Sequence, residues 1–384
     1  MQYEIKRRHF STGLAALGAS AWLGGCSRVP DSIKIGVGQP LSGPLAPLGQ
    51  DLLNGVRLAV DELNKAGFSV GGKRVALEVL AQDDGADAAR GRAAAQQLVE
   101  AGVVAVIGHL NSGVSIETAP IYAAKNVPQL IISTNPKITQ LGLPTTFRIV
   151  ANDNLQARAI GAFAASQLTA RNYAVVDDGT PYGKGLADGA QEQLKKANKP
   201  IALRQGFDDK TVAFADLAAK LKEAKVDGLI CMLNDFQALA LLKELQKIGH
   251  TRISLLGGDL VKTSEMTKGM GLVDEIFCTS PVLDVTEFTA GRQFLEKYIA
   301  AYQKPPAYGG HYTYDAMYVL SDAIRKSASA DPATITSALH SINGYAPVTG
   351  TMVWDEAGEP RYSSVGVYEL RKASWELRMR SDRW

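Results

Sequence analysis

Residues 107–136 read IGHLNSGVSIETAPIYAAKNVPQLIISTNP, and two apolar runs in and around this stretch set the problem. The first, VVAVIGH, begins at Val103; the second, VPQLIIST, begins at Val127; the helical pattern SIETAPIYAAKN joins them. Short continuous apolar runs of this kind belong to strands buried on both faces of a parallel sheet. Each run ends in a loop of small polar residues, with His109, Asn111 and Ser112 after the first and Ser133 and Thr134 after the second. Such loops could hold catalytic groups or cradle a ligand without chemistry.

The same alternation continues on both sides. Upstream, IKIGVG from Ile33 has period two, and DLLNGVRLAVDELNKAG puts Leu52, Leu53, Val56, Ala59, Val60 and Leu63 on one helical face. ALEVLAQDD reads as a strand, and AARGRAAAQQLVEAG as a helix ending at Gly102. Downstream, FRIVANDNL, beginning at Phe147, leaves the pattern, and a second series begins. Its strands are YAVVDD, IALRQGF, GLICMLN, ISLLGGD and IFCTSPV, alternating with the helices GLADGAQEQLKKAN, FADLAAKLKEAK and FQALALLKELQKIG. Repeated units of this type predict an α/β protein of two doubly wound parallel-sheet lobes. Two further helical patterns after Thr286, GRQFLEKYIAAYQK and YTYDAMYVLSDAIRKSA, are too few for a third sheet domain and are expected to cover the first lobe.

Composition agrees with this reading. The 384 residues exceed what one core fills, and 46% hydrophobic with 21% charged residues is ordinary for a globular chain. A net charge of +2 with scattered Lys and Arg leaves no nucleic-acid footprint. The start, KRRHFSTGLAALGASAWLGGC, has a basic region, an apolar stretch too short to span a bilayer, and small residues before a cysteine, so residues 1–26 read as an export signal. Leu23-Gly24-Gly25-Cys26 resembles a bacterial lipobox, cleaved before Cys26 and acylated there, and Arg7-Arg8 resembles a twin-arginine signal. A lipidated Cys26 would tether the protein to a bacterial membrane on its extracytoplasmic side. Cys231 and Cys278 lie in apolar runs and read first as buried strand thiols, with a disulfide between them left open.

In parallel sheets ligands bind beyond the carboxyl ends of the strands. The loops in question carry Asn111 and Ser112, Ser133 and Thr134, Tyr182, Asn234 and Asp235, and Asp259. Hydroxyls and helix-start amides suit a carboxylate, and a loop carboxylate suits an ammonium group, so the set fits a zwitterion. Each residue alone is equally a helix cap or turn residue. Catalytic motifs are missing: there is no G-x-S-x-G, H-E-x-x-H or Walker A loop, and neither the five histidines nor the three cysteines have metal-ligand spacing. Gly183-Lys184-Gly185 with Gly189 imitates a dinucleotide fingerprint, but the long DDGTPY before it replaces the tight turn that pyrophosphate needs. No catalytic residue, cofactor or metal is therefore expected. His109 reads as a packing histidine in preference to a general base, and Tyr308, Tyr312 and Tyr314 as core in preference to cleft-lining residues.

In order along the chain, IKIGVGQPLSGPLAPLGQDLLNGVRLAVDELNKAG, VIGHLNSGVSIETAPIY, STNPKIT, DDGTPYGKG, LLGGD, YTYDAMYVL and GTMVWDEAGE resemble the extracytoplasmic branched-chain amino-acid binding proteins of ABC importers. The resemblance runs from about Ile33 to the C-terminus. It implies a type I periplasmic binding protein fold, with lobes of residues 32–151 plus 284–355 and 152–283 plus 356–384. Three crossings near Ile149 to Asp153, Pro281 to Val285 and Val353 to Glu359 would form the hinge. It implies further that Ser112 binds the ligand carboxylate, that Ser133 and Thr134 supply backbone and hydroxyl contacts, that Tyr182 covers the ligand, and that Asp259 pairs with its ammonium group. Leu48 and Asn234 stand where well-known relatives carry aromatics, and Gly85 and Asn111 where some carry a disulfide. The implied protein is a periplasmic, monomeric, lipid-anchored solute-binding component that serves a permease and takes an aliphatic amino acid. A ligand sensor or scaffold acting on a membrane receptor or cell-wall enzyme is the alternative on the same fold.

Overall fold

The computed structural model describes residues 29–383, so the export signal and Cys26 lie outside the described residues. Five parallel strands form the first sheet: β1 (Ser32–Gln39), β2 (Ala76–Asp83), β3 (Ala105–Gly108), β4 (Gln129–Ile131) and β5 (Thr146–Arg148), in the order β2-β1-β3-β4-β5. Helices α1 (Ala46–Lys65), α2 (Ala88–Glu100) and α3 (Ser112–Ala123) connect them. After α4 (Asp153–Ser166), the second sheet is built from β6 (Tyr173–Asp177), β7 (Ile201–Gly206), β8 (Gly228–Met232), β9 (Ser254–Gly257) and β10 (Glu275–Ser280). Helices α5 (Pro181–Lys196), α6 (Ala215–Glu223) and α7 (Asp235–Lys247) alternate with those strands. The chain then makes α8 (Gly291–Tyr302), α9 (Gly310–Ser327) and α10 (Pro332–Ser341), and ends in an antiparallel hairpin, β11 (Gly366–Arg371) and β12 (Ser374–Arg380). The hairpin pairs antiparallel with β10, so the second sheet runs β12-β11-β10-β9-β8-β6-β7.

The α/β architecture with two parallel cores is the one expected, and Leu52, Leu53, Val56, Ala59, Val60 and Leu63 are all buried in α1. Three local readings differ. Helix α1 starts at Ala46 rather than Asp51, because Pro47 is compatible with a first helical turn. Thr146–Arg148, inside the stretch that left the pattern, is a fifth strand; at three residues, paired only to β4, it is too short to show a period. Helix α10 has the Thr- and Ile-containing sequence PATITSALHS, a weak helix former held at its start by Pro332 and by Asp331, which caps Thr334 N at 2.9 Å.

Both sheets reverse strand order at one point, β1/β3 in the first and β6/β8 in the second, where a crevice opens beyond the strand ends. The loops at these two points carry Ser112, Tyr182 and Asn234, so the topology brings them to facing edges.

Helices α8 and α9 return to pack on α1. Gly55 makes that approach possible, since a Cβ there would lie 1.9 Å from the Gly310 carbonyl oxygen. The seam is pinned by Asp51, a carboxylate only 2% exposed. Its Oδ1 accepts Tyr298 OH at 2.5 Å, and its Oδ2 accepts Tyr308 N at 2.8 Å and Gly310 N at 2.9 Å at the start of α9. Asp51→Ala would strand three buried donors, and chemical denaturation is expected to show a loss of about 2–4 kcal/mol. A loss below about 0.5 kcal/mol would mean that water replaces the carboxylate there.

Candidate functional site

Ser112 opens α3, where the first amides of a helix have no internal partner and carry a partial positive charge. It is 2% exposed, and its Oγ accepts Asn135 N at 3.2 Å, which fixes the loop after β4 beside the helix start. Ser133 and Thr134 lie on that loop, both 2% exposed. The Ser133 hydroxyl donates inward to Ser115 Oγ at 2.7 Å, and the Thr134 carbonyl accepts Asp153 N at 2.9 Å. Ser112, Ser133 and Thr134 thus make one wall, together with Leu110 and Ile132.

Tyr182 and Asp259 form the facing wall. Tyr182 is in the first turn of α5, whose start Thr180 caps by accepting Gly183 N at 3.0 Å, and Asp259 begins a short 3-10 turn after β9. Asp259 Oδ1 accepts Tyr182 OH at 2.6 Å and Gln156 Nε2 at 3.2 Å, while Oδ2 accepts Tyr308 OH at 2.7 Å. Burial and the neighbouring carboxylates push both phenols well above the ordinary tyrosine range, so they stay protonated and donate. Tyr308, expected in the core, therefore lines the cleft. The loops after β4 and β6 also touch directly: Asn135 Nδ2 donates to the Pro181 carbonyl at 2.6 Å.

Two compartments open between these walls and share Asn111, Ser112, Tyr182 and Leu260. The inner one, of about 20 Å³, also has Ser133, Thr134, Asp259 and Tyr308 on its wall and is no larger than one small polar group needs. The outer one, of about 220 Å³, reaches Leu45, Ala86, Asp178 and Asn234. Leu48 lies on the buried face of α1 and lines neither; Leu45, one turn earlier, takes that place. Asp235 turns to its own helix start and to Thr263, and Asn111 occupies the N-cap position of α3.

Asp153 escaped sequence reading. It opens α4 just beyond β5, and since β5 itself was not recognised as a strand, the loop at its carboxyl end was not inspected. The side chain is 4% exposed, and apart from the Thr134 hydroxyl, which lies close without a well-formed bond, neither carboxylate oxygen has a hydrogen-bond partner. Burial, opposed by the Thr134 hydroxyl and reinforced by Asp259, pushes its pKa up to about 8. Asp153 and Asp259 therefore form a buried acidic pair, and the nearby cation Arg148 is bonded to Glu359.

His109 is not in the cleft. It is fully buried, with Nδ1 2.6 Å from Asp84 Oδ2 and Nε2 3.1 Å from Tyr122 OH, a packing role as expected. Cys231 and Cys278 are free thiols buried in β8 and β10, pushed up by burial, Cys231 to about 12. Gly183 serves close packing, since a Cβ there would meet Asp178 Oδ1 at 2.1 Å. Among the described residues no cluster of three or more His, Cys, Asp or Glu could hold a metal ion.

Two doubly wound lobes with polar groups converging from both on one crevice define a cleft-binding protein. The family described as periplasmic binding protein matches residues 32–373, and the chain belongs to it, among the branched-chain amino-acid binding proteins with the type I fold. It is 31% identical over 341 residues to Leu/Ile/Val-binding protein homolog 2 of Brucella abortus, covering 88% of this chain and 91% of that one. It is 28% identical to the leucine-, isoleucine-, valine-, threonine- and alanine-binding protein of Pseudomonas aeruginosa, covering 94% and 95%. The fold is that of the LivJ substrate-binding protein of Streptococcus pneumoniae in complex with isoleucine, with a TM-score of 0.80 at 23% identity, covering 91% and 98%. The family is one of extracytoplasmic solute-binding proteins.

The acidic pair has a measurable signature. An acid whose folded pKa is raised stabilises the fold fully below its unfolded pKa and loses that contribution as pH rises to the folded value. Asp153, raised from 3.8 to about 8, should weaken the ligand-free protein across that window. Asp153→Asn is expected to gain stability relative to the parent between about pH 5 and pH 9, by up to roughly 4 kcal/mol at 1.36 kcal/mol per pH unit. Urea unfolding at both pH values checks this, and an equal difference at the two would show an ordinary carboxyl.

Proposed function

We propose that the chain is the solute-binding component of an ABC importer and that it holds a small α-amino acid between its lobes. The observation that carries this reading is the pairing, across one narrow compartment, of a helix start bearing Ser112 with the carboxylate of Asp259, to which the buried Asp153 adds its charge from behind the wall. A zwitterion has the two charges that these ends lack. Its carboxylate would take the Ser112 hydroxyl and the first amides of α3, with Ser133 and Thr134 beside it. Its ammonium would lie towards Asp259 and Asp153, under Tyr182. The names of the relatives put aliphatic amino acids first as ligands.

The lobes would be residues 32–151 plus 284–355 and 152–283 plus 356–384, moving about the crossings at residues 149–153, 281–285 and 353–359. A ligand touching both walls favours the closed form because only closure completes its contacts, and a permease would read the closed shape. The protein would bind without turning its ligand over, as a monomer. Lipidation at Cys26 would anchor it on the outer side of a bacterial membrane, with the twin-arginine route as the export path.

Calorimetric titration of the purified chain, stripped of carried-over ligand by unfolding and refolding, tests this against a panel of amino acids and their N-acetyl forms. One-to-one binding of a free amino acid is expected, with the N-acetyl form silent. Asp259→Ala is expected to cost about 2–5 kcal/mol, at least thirtyfold in Kd, because the ammonium is left without its partner. Unchanged affinity in that variant would overturn the role of Asp259.

A further inference from the structure

The outer compartment is where the side chain of a ligand anchored at the inner one must go. It shares Asn111, Ser112, Tyr182 and Leu260 with the inner compartment and holds about 220 Å³. Part of its wall is apolar, with Leu45, Ala86 and Val114. The rest carries three carboxylates, Asp87, Asp178 and Asp209, and no Lys, Arg or His lines it.

Two acceptors on this wall are buried and under-used. Asn234 is 6% exposed and forms a capping box with Gln237 at the start of α7; its Nδ2 is shared between Asp178 Oδ2 and Gln237 Oε1, each at 3.3 Å, and its Oδ1, towards the Gln237 amide, has no hydrogen bond of ordinary length. Asp178 is 2% exposed; Oδ1 is satisfied by Thr180 N at 3.0 Å and the Thr180 hydroxyl at 2.6 Å, but the long bond from Asn234 is the one Oδ2 receives. The other charges felt at Asp178 are carboxylates, Asp177 and Asp209, and Arg204 is committed to Asp177 and Asp188. Burial pushes the Asp178 carboxyl up to about 6, which still leaves it mostly charged at neutral pH. An aliphatic side chain filling this space would shut two acceptors, one of them anionic, away from water with nothing to donate to them, a cost of the kind that rejects a ligand.

Resting on the amino-acid reading above, we propose that the cleft selects amino acids whose side chain ends in a cationic N–H donor, received by Asp178 and Asn234, over aliphatic ones. The apolar part of the wall would pack the methylene stem, as in snorkelling lysines, and the acidic end would take the head group.

L-Lysine, L-ornithine and L-arginine are titrated calorimetrically against L-norleucine, which has the lysine carbon chain without its terminal ammonium, and L-leucine. At least one cationic amino acid is expected to bind tenfold or more tightly than norleucine. Asp178→Asn should erase most of that preference while changing norleucine affinity less than threefold. Should that variant fail to fold, because Asp178 also holds the Thr180 turn, Asn234→Leu carries the same comparison and should shift preference toward norleucine. Leucine or norleucine binding as tightly as every cationic ligand overturns this inference and leaves the amino-acid reading standing. Silence from all five, and from every other free α-amino acid, overturns both.

Discussion

A guanidinium that water does not reach holds the cleft in shape. Arg148 has no exposed surface; it donates through Nη1 to the Ser133 carbonyl, through Nη2 to the Asn135 carbonyl at 3.0 Å, and through Nε and Nη2 to the Glu359 carboxylate at 3.1 Å. With two carbonyls of one loop fixed to the same planar fork, Asn135 N meets Ser112 Oγ and Asn135 Nδ2 meets the facing lobe. Glu359 lies beyond Gly358, whose carbonyl accepts Arg148 N at 2.8 Å and which sits against β5 at φ +81°, where a Cβ would come within 1.9 Å of the Thr146 oxygen. Trp354 Nε1 completes the clamp on the Arg148 carbonyl at 2.6 Å. Breaking such a buried pair leaves an uncompensated charge, typically a loss of 3–5 kcal/mol. The loop that carries Ser133 and Thr134 is therefore tied by the same guanidinium to the segment that bears Glu359.

The cleft pairs hydrogen-bond donors with acceptors but does not balance charge. Around Asp259 the donors are neutral, two phenols and an amide, and they satisfy the carboxylate geometrically without cancelling it. The histidine and the serine nearest to a catalytic pattern have other partners. His109 has an acid on one ring nitrogen and a phenol on the other, an arrangement that resembles a relay, but burial pushes that phenol, Tyr122, far above its ordinary range and both partners lie outside the cleft. The hydroxyl of Ser133 is spent on Ser115. What remains is a set of fixed dipoles and charges suited to recognition.

Periodicity carried the architecture because both sheets are buried on two faces, and strands such as VVAVIGH and GLICML then become apolar runs that no surface helix imitates. It carried Ser112, Tyr182 and Asp259 for a related reason: each follows a recognisable strand, and topology sends strand ends to a common edge. The signal failed where elements were short or bonds ran between distant segments. β5 spans three residues, and with it went Asp153. Tyr308 is indistinguishable in sequence from Tyr312 and Tyr314; only the third dimension shows that its hydroxyl reaches Asp259, whereas Tyr314 reaches Glu62 and Tyr312 reaches Leu283 N. The pairing of Arg148 with Glu359, 211 residues apart, has no local pattern at all.

The missed acid stands where the chain passes from the first sheet to the second. Asp153 stands at the first residue of α4, in the segment between the lobes, its amide bonded to Thr134 of one wall. Asp259 accepts a bond from Gln156 of the same helix and raises the cost of ionising Asp153. With no cation beside them, the two carboxylates either repel or share the burden through a bound proton, and both alternatives subtract from the stability of the ligand-free protein. An ammonium placed at that point reverses the sign of the interaction, turning mutual repulsion into attraction of both acids to one charge. A ligand that carries one gains that difference on binding, and closure adds the contacts of the opposite wall, which is the condition a binding protein must meet if its shape is to report that the cleft is full.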